Sequence, residues 1–300
     1  MIINMNMSGN ACKRGLSIAA ALAFGLTSMT QAVTIYVDAT RPDDTGNGLT
    51  PETAKLTIGA GITASAAGDT VEVNAGVYLI TGQLLINKQV TLMAKAGLSA
   101  KPRIRTNQGD AWTQCNVQVG ADGVVIDGFE IDNALAGTQV GYLVGDWNSA
   151  KNGWTVRNCN IHDGRNGIRA MGNNVTIEGN DIYSTYGDCI NCRNGPCGGL
   201  KVTRNILHSE WVVTGGKPAG ISYNCSATTV GDVEISYNIC YASRTFIDFV
   251  HYTSGAAVPA NNIVIKHNTV DWKMETLPAS YTGTEVAQKM SIVWLSLIHI

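Results

Sequence analysis

Charged residues make up only 15% of the 300-residue chain, and the formal net charge is −2. Without a basic excess there is little to neutralise phosphates, which argues against a nucleic-acid partner. Proline is scarce at 7 residues and phenylalanine scarcer at 4. No stretch beyond the first 32 residues reaches the roughly eighteen unbroken apolar residues of a membrane span. Low charge beside 45% apolar residues and a mean hydropathy of +0.04 excludes a disordered chain, which needs the opposite balance. What is plentiful is glycine, at 33 residues, and asparagine, at about 25 against a lower average usage. Both tolerate left-handed backbone, so the chain is expected to turn often. The length suits about two average domains, but repetitive β-rich folds of this size often form one.

Neither end reads as part of the fold. Lys13 and Arg14 precede a short apolar run from Leu16 to Leu26, and Thr30-Gln31-Ala32 is a small-residue cleavage site. The pattern is that of a secretory signal peptide over residues 1–32, and it places the mature protein outside the cytoplasm, secreted or periplasmic. The apolar run is too short for an anchor. At the other end, Leu295-Ser296-Leu297-Ile298-His299-Ile300 is the translation of CTGTCTCTTATACACATC. That string resembles the transposon mosaic end used to tag sequencing libraries. Residues 295–300 are therefore expected to be non-native, with the natural chain continuing differently after Trp294.

Between the ends one pattern recurs: apolar, x, apolar, x, x, Asn, x, apolar. It appears from Val175 with Asn180, from Leu200 with Asn205, from Val233 with Asn238 and from Ile263 with Asn268. Weaker copies from Val124 and Trp154 put Phe129 and Cys159 in the asparagine slot, and Val71 and Val90 start two degenerate ones. Period-two alternation in short segments means strands, and the break at Asn means a turn. Unequal intervals mean loops of varying length between fixed strands. Stacked parallel coils explain this, because one coil cannot bury its apolar face but neighbouring coils share a core. An Asn at the same turn of each coil can bond to the coils above and below, forming a ladder that satisfies buried polar groups.

The opening of the mature chain is Thr34-Ile-Tyr-Val-Asp-Ala39, Thr45-Gly-Asn-Gly48, Pro51, an Ala/Gly-rich segment to Ala67, Gly68-Asp-Thr-Val-Glu-Val73 and Gly76-Val-Tyr78. With the repeat, it resembles the right-handed parallel β-helix superfamily, the pectate-lyase-like fold, over about residues 33–294. The resemblance implies an all-β solenoid with a first strand and a short N-terminal capping helix over residues 33–70, and coils over residues 71–294. It implies little about the reaction, since many activities share the fold. In this layout the Val-x-Ile segments are the second strand of each coil, and the residues after Asn are the third. First-strand candidates are 83–86, 116–119, 141–144, 167–170, 189–192, 220–223, 246–250 and 291–294. Eight coils at about 4.8 Å make a rod roughly 38 Å long.

In that superfamily the substrate groove runs along the outside of the first strand. If Ile168, Ile190, Ile221 and Ile247 point inward, alternation turns Arg169, Asn191, Ser222 and Asp248 outward. Arg193, Asn224 and His251 follow, and the preceding loops add His162, Asp163, Arg165, Asp188, Trp211 and Lys217. Two reactions fit such a face. β-Elimination on a uronate polymer needs a base beside the carboxylate and a positive charge on the resulting anion. Arg169, Arg193 and Lys217 are the candidate bases or neutralisers, and Asp163, Asp188 and Asp248 a candidate calcium set. An arginine base works against its very high pKa, and the Arg-x-Pro-x-x-Arg signature of classical pectate lyases has no close copy. Hydrolysis needs paired carboxylates. Gly187-Asp188-Cys189-Ile190 is similar to the Gly-Asp-Asp-Cys-Ile run of polygalacturonases but lacks one Asp, and the Gly-His-Gly and Arg-Ile-Lys motifs of that family are absent. Asp188 is equally a turn residue leading into the strand. A third class is a non-catalytic carbohydrate-binding β-helix or adhesin, served by Trp147, Trp211 and Tyr223. The lyase is favoured, on a polysaccharide substrate, with Arg165, Asn191, Trp211, Ser222, Asn224 and His251 as binding residues and a monomer expected for the full-length chain.

The histidines read as solvated loop residues without a zinc pattern. Seven cysteines follow the leader, and export permits disulfides. Within Cys189-x2-Cys192-x4-Cys197 a loop bridge is expected, from Cys197 to Cys189 or to Cys225. Cys159 and Cys240 occupy inward slots as small buried hydrophobes.

Overall fold

The structure, a computed structural model, describes residues 31–108, 115–135, 141–183, 185, 187–208, 219–224, 230–241, 245–249 and 260–271. For residues 224, 230, 245, 248, 249, 260, 261 and 271 the backbone alone is described. All of these but residue 31 belong to one compact unit, Ala32–Ile300.

Strand β1 (Thr34–Val37) and helix α1 (Ile58–Ala64) precede the coils. Then come β2 (Thr70–Val73), β3 (Val77–Ile80) and β4 (Leu84–Ile86); β5 (Thr91–Ala94), β6 (Arg103–Thr106) and β7 (Cys115–Val119); β8 (Val125–Asp127), β9 (Glu130–Asn133) and β10 (Tyr142–Gly145). The middle of the rod is β11 (Thr155–Arg157), β12 (Asn160–His162) and β13 (Asn166–Arg169); β14 (Thr176–Glu178), β15 (Asp181–Tyr183) and β16 (Ile190–Arg193). Last come β17 (Lys201–Thr203), β18 (Ile206–His208) and β19 (Ala219–Asn224); β20 (Val230–Ser236), β21 (Ile239–Tyr241) and β22 (Thr245–Phe249); β23 (Ala260–Lys266) and β24 (Thr269–Asp271).

Every third strand from β2 onward stacks in parallel on its equivalent one coil away. Sheet A runs β1-β2-β5-β8-β11-β14-β17-β20-β23, sheet B collects β3 to β24 in steps of three, and sheet C collects β4 to β22 likewise. The register keeps like residues in line. In sheet A, Ile126, Val156, Ile177, Val202 and Ile235 stack coil on coil, each fully buried. In sheet C, Val144, Ile168, Ile190 and Ile221 do the same. Burying each such side chain is worth about 1.5–3 kcal/mol, so the inward columns of the three sheets are the core.

The turn from sheet A to sheet B has two residues in six successive coils, and the first of them is left-handed. Gly128 (φ 87°), Asn158 (54°), Gly179 (64°), Arg204 (59°), Tyr237 (58°) and His267 (54°) all take this conformation. It lets the turn's own N–H continue the sheet: Gly179 donates to the Thr203 carbonyl and Arg204 to that of Ser236. The second turn residue is the ladder position. Asn180, Asn205 and Asn238 are buried. Each Oδ1 accepts the backbone N–H of the ladder residue one coil before: Asn205 Oδ1 from Asn180 N at 3.0 Å, Asn238 Oδ1 from Asn205 N at 3.0 Å, and Asn268 Oδ1 from Asn238 N at 2.9 Å. The ladder of four asparagines is therefore present. It starts below Cys159, whose N–H donates to Asn180 Oδ1.

Helix α1 buries Ile58, Gly61 and Ile62 and packs on β1, β2 and β4. Thr57 caps its N-terminus by accepting from Ala60 N. Lys88 Nζ closes the other end, donating to the carbonyls of Ile62, Thr63 and Ser65 at 3.0, 2.8 and 2.6 Å. A cation on three C-terminal carbonyls satisfies groups the helix leaves open.

Candidate functional site on sheet C

The outer face of sheet C aligns Gln118, Gly145, Arg169, Asn191, Ser222 and Asp248 on successive strands. The residues expected on one column from alternation do lie in one register. Their exposure differs from expectation. Arg169 is 2% exposed and Asn191 3%.

Gly145, the neighbour of Arg169 on β10, lets the two backbones approach closely. A Cβ there would collide with the Arg169 backbone carbonyl, and Gly145 holds φ at +148°, which only glycine tolerates. The guanidinium is covered by two aromatic rings from one end and the other of the same segment. Its Cζ lies 3.9 Å from the Trp147 ring centroid and 5.0 Å from that of Tyr142. Nη1 donates to Tyr142 Oη at 3.1 Å, and Nη2 donates to the backbone carbonyl of Arg193 at 3.1 Å. Burial pushes the Tyr142 hydroxyl above its ordinary pKa, with Arg169 pulling the other way. Among the described residues, Arg169 Nε and Asn191 Oδ1 are buried without a hydrogen-bond partner.

Arg193 closes β16 with an exposed side chain, and its charge reaches Tyr142, as does that of Asp188. Asp188 stands at the turn into β16. Its Oδ1 accepts from Ala219 N at 3.1 Å and its Oδ2 from Asn191 Nδ2 at 2.7 Å. Asn166 Oδ1 in turn accepts the Asp188 N–H at 3.0 Å. These bonds tie three successive coils, so Asp188 fixes the strand entry, as a turn residue would. Asp146, which follows β10, is fully buried and takes the N–H groups of Met171 and Gly172 from the next coil. Desolvation raises its pKa to about 6 against the pull of those backbone donors.

Arg165 and Ser222 are half-buried on this side of the rod. Lys217, Trp211 and His251 lie outside the described residues, as do the side chains of Asn224 and Asp248. Of the calcium set, Asp163 and Asp188 are described and the Asp248 side chain is not. Asp163 Oδ2 is 2.8 Å from His162 Nδ1, and both Asp188 oxygens hold the bonds above. Among the described residues no three His, Cys, Asp or Glu side chains converge on a metal position.

Two further expectations change. His162 is not solvated: it is 6% exposed, its Nε2 lies 3.2 Å from Glu130 Oε1, and its ring stacks on Tyr183 at 4.6 Å. The stack continues through His208 to Tyr241 at 5.3 and 4.5 Å, because these residues share one register column of sheet B. The Cys189–Cys197 bridge does not form, since Cys189 is a buried free thiol; burial raises its pKa. Its alternative, Cys225, lies outside the described residues. Cys159 and Cys240 are buried as expected.

The reading from sequence missed Tyr142 and Asp146, and gave Trp147 no link to Arg169. One signal was available: the aromatic residues at 142 and 147 flank glycine at position 145, in the column of outward residues, and stand one coil before Arg169.

No protein-family model and no curated protein matches the chain. Solved structures do. XylC, solved in complex with xylose, is 14% identical, with 79% of this chain and 68% of that one covered at a TM-score of 0.51. Pectin methylesterase from Aspergillus niger is 13% identical, covering 88% of this chain and 96% of that one at 0.48. Pectate lyase Pel9A is 13% identical, covering 82% and 80% at 0.41. At these identities the likeness is one of fold alone, and the XylC match agrees with the parallel β-helix that the three stacked sheets define.

Proposed function

We propose that this is an exported, carbohydrate-active β-helix protein that binds a uronate-containing polysaccharide along the outer face of sheet C and cleaves it by β-elimination. The observation that carries the reading is Arg193, an exposed residue at the end of β16 whose charge reaches Tyr142. A fixed cation beside a substrate carboxylate stabilises the anion formed when the neighbouring proton leaves. XylC's complex with xylose is consistent with a sugar seated on this fold. Arg169 is not the base in this mechanism, because its guanidinium is buried and two of its nitrogens are bonded. Of the two candidates left, Arg193 and Lys217, the lysine gives up its proton more readily and is proposed as the base. No step is routed through calcium.

A binding-only protein is the second reading. It is favoured by Asp188, whose two oxygens are both engaged in holding backbone and side chain.

The test is incubation of the purified protein with pectate, alginate and glycosaminoglycans, with calcium and with chelator, following the ultraviolet absorbance of the unsaturated product. The lyase reading requires a rise on at least one polymer. New reducing ends without absorbance would mean hydrolysis, and neither signal would leave binding alone.

A further inference from the structure

We propose that Arg169 is a positioning residue, clamped between Tyr142 and Trp147, which acts by fixing the backbone from which Arg193 meets the ligand. The inference rests on the sheet C reading above and assigns the roles of its two arginines.

The geometry separates them. Arg169 is 2% exposed, whereas Arg193, two register positions along the next strand, is exposed. The Arg169 guanidinium is held on one side by the Trp147 ring and at Nη1 by Tyr142 Oη. Its remaining bonded nitrogen, Nη2, donates to the Arg193 carbonyl at 3.1 Å. That carbonyl is where β16 ends, because Asn194 turns left-handed at φ 60°. Arg193 still pairs in register with Asn224, and a backbone carbonyl shielded from water needs a donor. Arg169 supplies that bond with a charged donor, which is stronger than a neutral one. A planar guanidinium can stack on indole and bond in its own plane at once, which a lysine ammonium cannot. The ligand class that follows is an anionic polysaccharide met on this strand end by the exposed Arg193, with Arg169 contributing no direct contact.

The experiment uses Trp147→Leu and Tyr142→Phe, with Arg193→Gln, in the full chain. Polygalacturonate is the anionic ligand, and binding is measured by titration at two salt concentrations. Arg193→Gln should weaken binding about tenfold and lower its salt dependence. Trp147→Leu should weaken it about threefold in the native background and leave it unchanged in the Arg193→Gln background, since contacts that act through one another are not additive. Losses that add across the two sites would overturn the proposal, because Arg169 would then touch ligand itself.

Amide hydrogen exchange provides an arm independent of any ligand. Tyr142→Phe and Trp147→Leu should each speed exchange over residues 193–195 while leaving residues 201–208 unchanged. Unchanged exchange at 193–195 in both variants would also overturn it. If the native protein binds no polygalacturonate, the function proposed above fails for that polymer, and the exchange result still decides the positioning role. Circular dichroism on each variant excludes a folding defect, and Tyr142→Phe, which deletes one oxygen, keeps the test available should Trp147→Leu misfold.

Discussion

Replacing Asn205 by leucine removes the central rung of the ladder at almost constant volume. Two groups lose their partners. The Asn180 N–H, which donates to Asn205 Oδ1 at 3.0 Å, is left buried without an acceptor. The Ile177 carbonyl, which accepts from Asn205 Nδ2 at 2.9 Å, loses that donor. The Asn180 amide keeps the Val156 carbonyl, and Asn238 Oδ1 keeps the Asn205 backbone N–H, so those rungs survive in part. An unsatisfied buried group costs about 1–3 kcal/mol, which gives a loss of roughly 4 kcal/mol for the pair. That is a large share of the roughly 5–15 kcal/mol that holds a domain together. At the ladder's end, Asn268 is half-buried. The groups released by Asn268→Leu, the Asn238 N–H and the Ile235 carbonyl, are nearer to water and should cost about half as much. Solenoids unfold in parts, so the measurement needs a local readout. Urea unfolding followed by far-ultraviolet circular dichroism gives the total, and native-state hydrogen exchange at the Asn180 amide gives the rung. A loss below about 1 kcal/mol for Asn205→Leu, or an equal loss for both variants, would refute the ladder as a source of stability.

Other outcomes follow from the same geometry. Gly145→Ala places a Cβ against the Arg169 carbonyl at a backbone angle alanine avoids; thermal unfolding should show a loss of about 3 kcal/mol or more, and a native-like midpoint would contradict it. Asp146, with its folded pKa raised to about 6 from an unfolded value near 4, binds its proton more tightly in the fold. Stability from this group is therefore full below about pH 4 and is lost as pH rises through about 6. The urea midpoint of the native protein minus that of Asp146→Asn should fall across that window, and a flat difference would count against burial as the dominant influence. Cys189 should resist alkylation in the folded protein and react on unfolding without reductant; a requirement for reductant would reveal a bridge.

The coil was legible because its cause is local. Apolar-x-apolar followed by a two-residue turn is written in consecutive residues, and Asn180, Asn205, Asn238 and Asn268 occupy the slot the pattern marked. The strands of sheet C followed by alternation, and Asp188 took the turn position that a single Asp before a strand suggests. What alternation could not show was depth. Arg169 is outward on its strand but buried, because the Tyr142 and Trp147 rings from the coil before cover it. His162 looked like a loop histidine because the groups that enclose it, Glu130 and Tyr183, come from the coils on either side. Both errors have one physical source: neighbours about 4.8 Å apart across the stack are 21 to 34 residues apart in sequence from coil to coil, and the unequal loops hide which of them meet. The Cys189–Cys197 pair failed because Cys189 Sγ is turned into the core, beside Thr185 and the Ile182 carbonyl and within electrostatic reach of the Cys240 thiol.

The central claim is that an acidic polysaccharide lies along the outside of sheet C. The most direct measurement is amide chemical-shift mapping of the labelled protein titrated with oligogalacturonate. The account expects saturable shifts at β10, β13, β16 and β19, centred on Arg193 and reduced in Arg193→Gln. Shifts confined to sheet B around the His162–Tyr241 stack, or none at millimolar ligand, would contradict it.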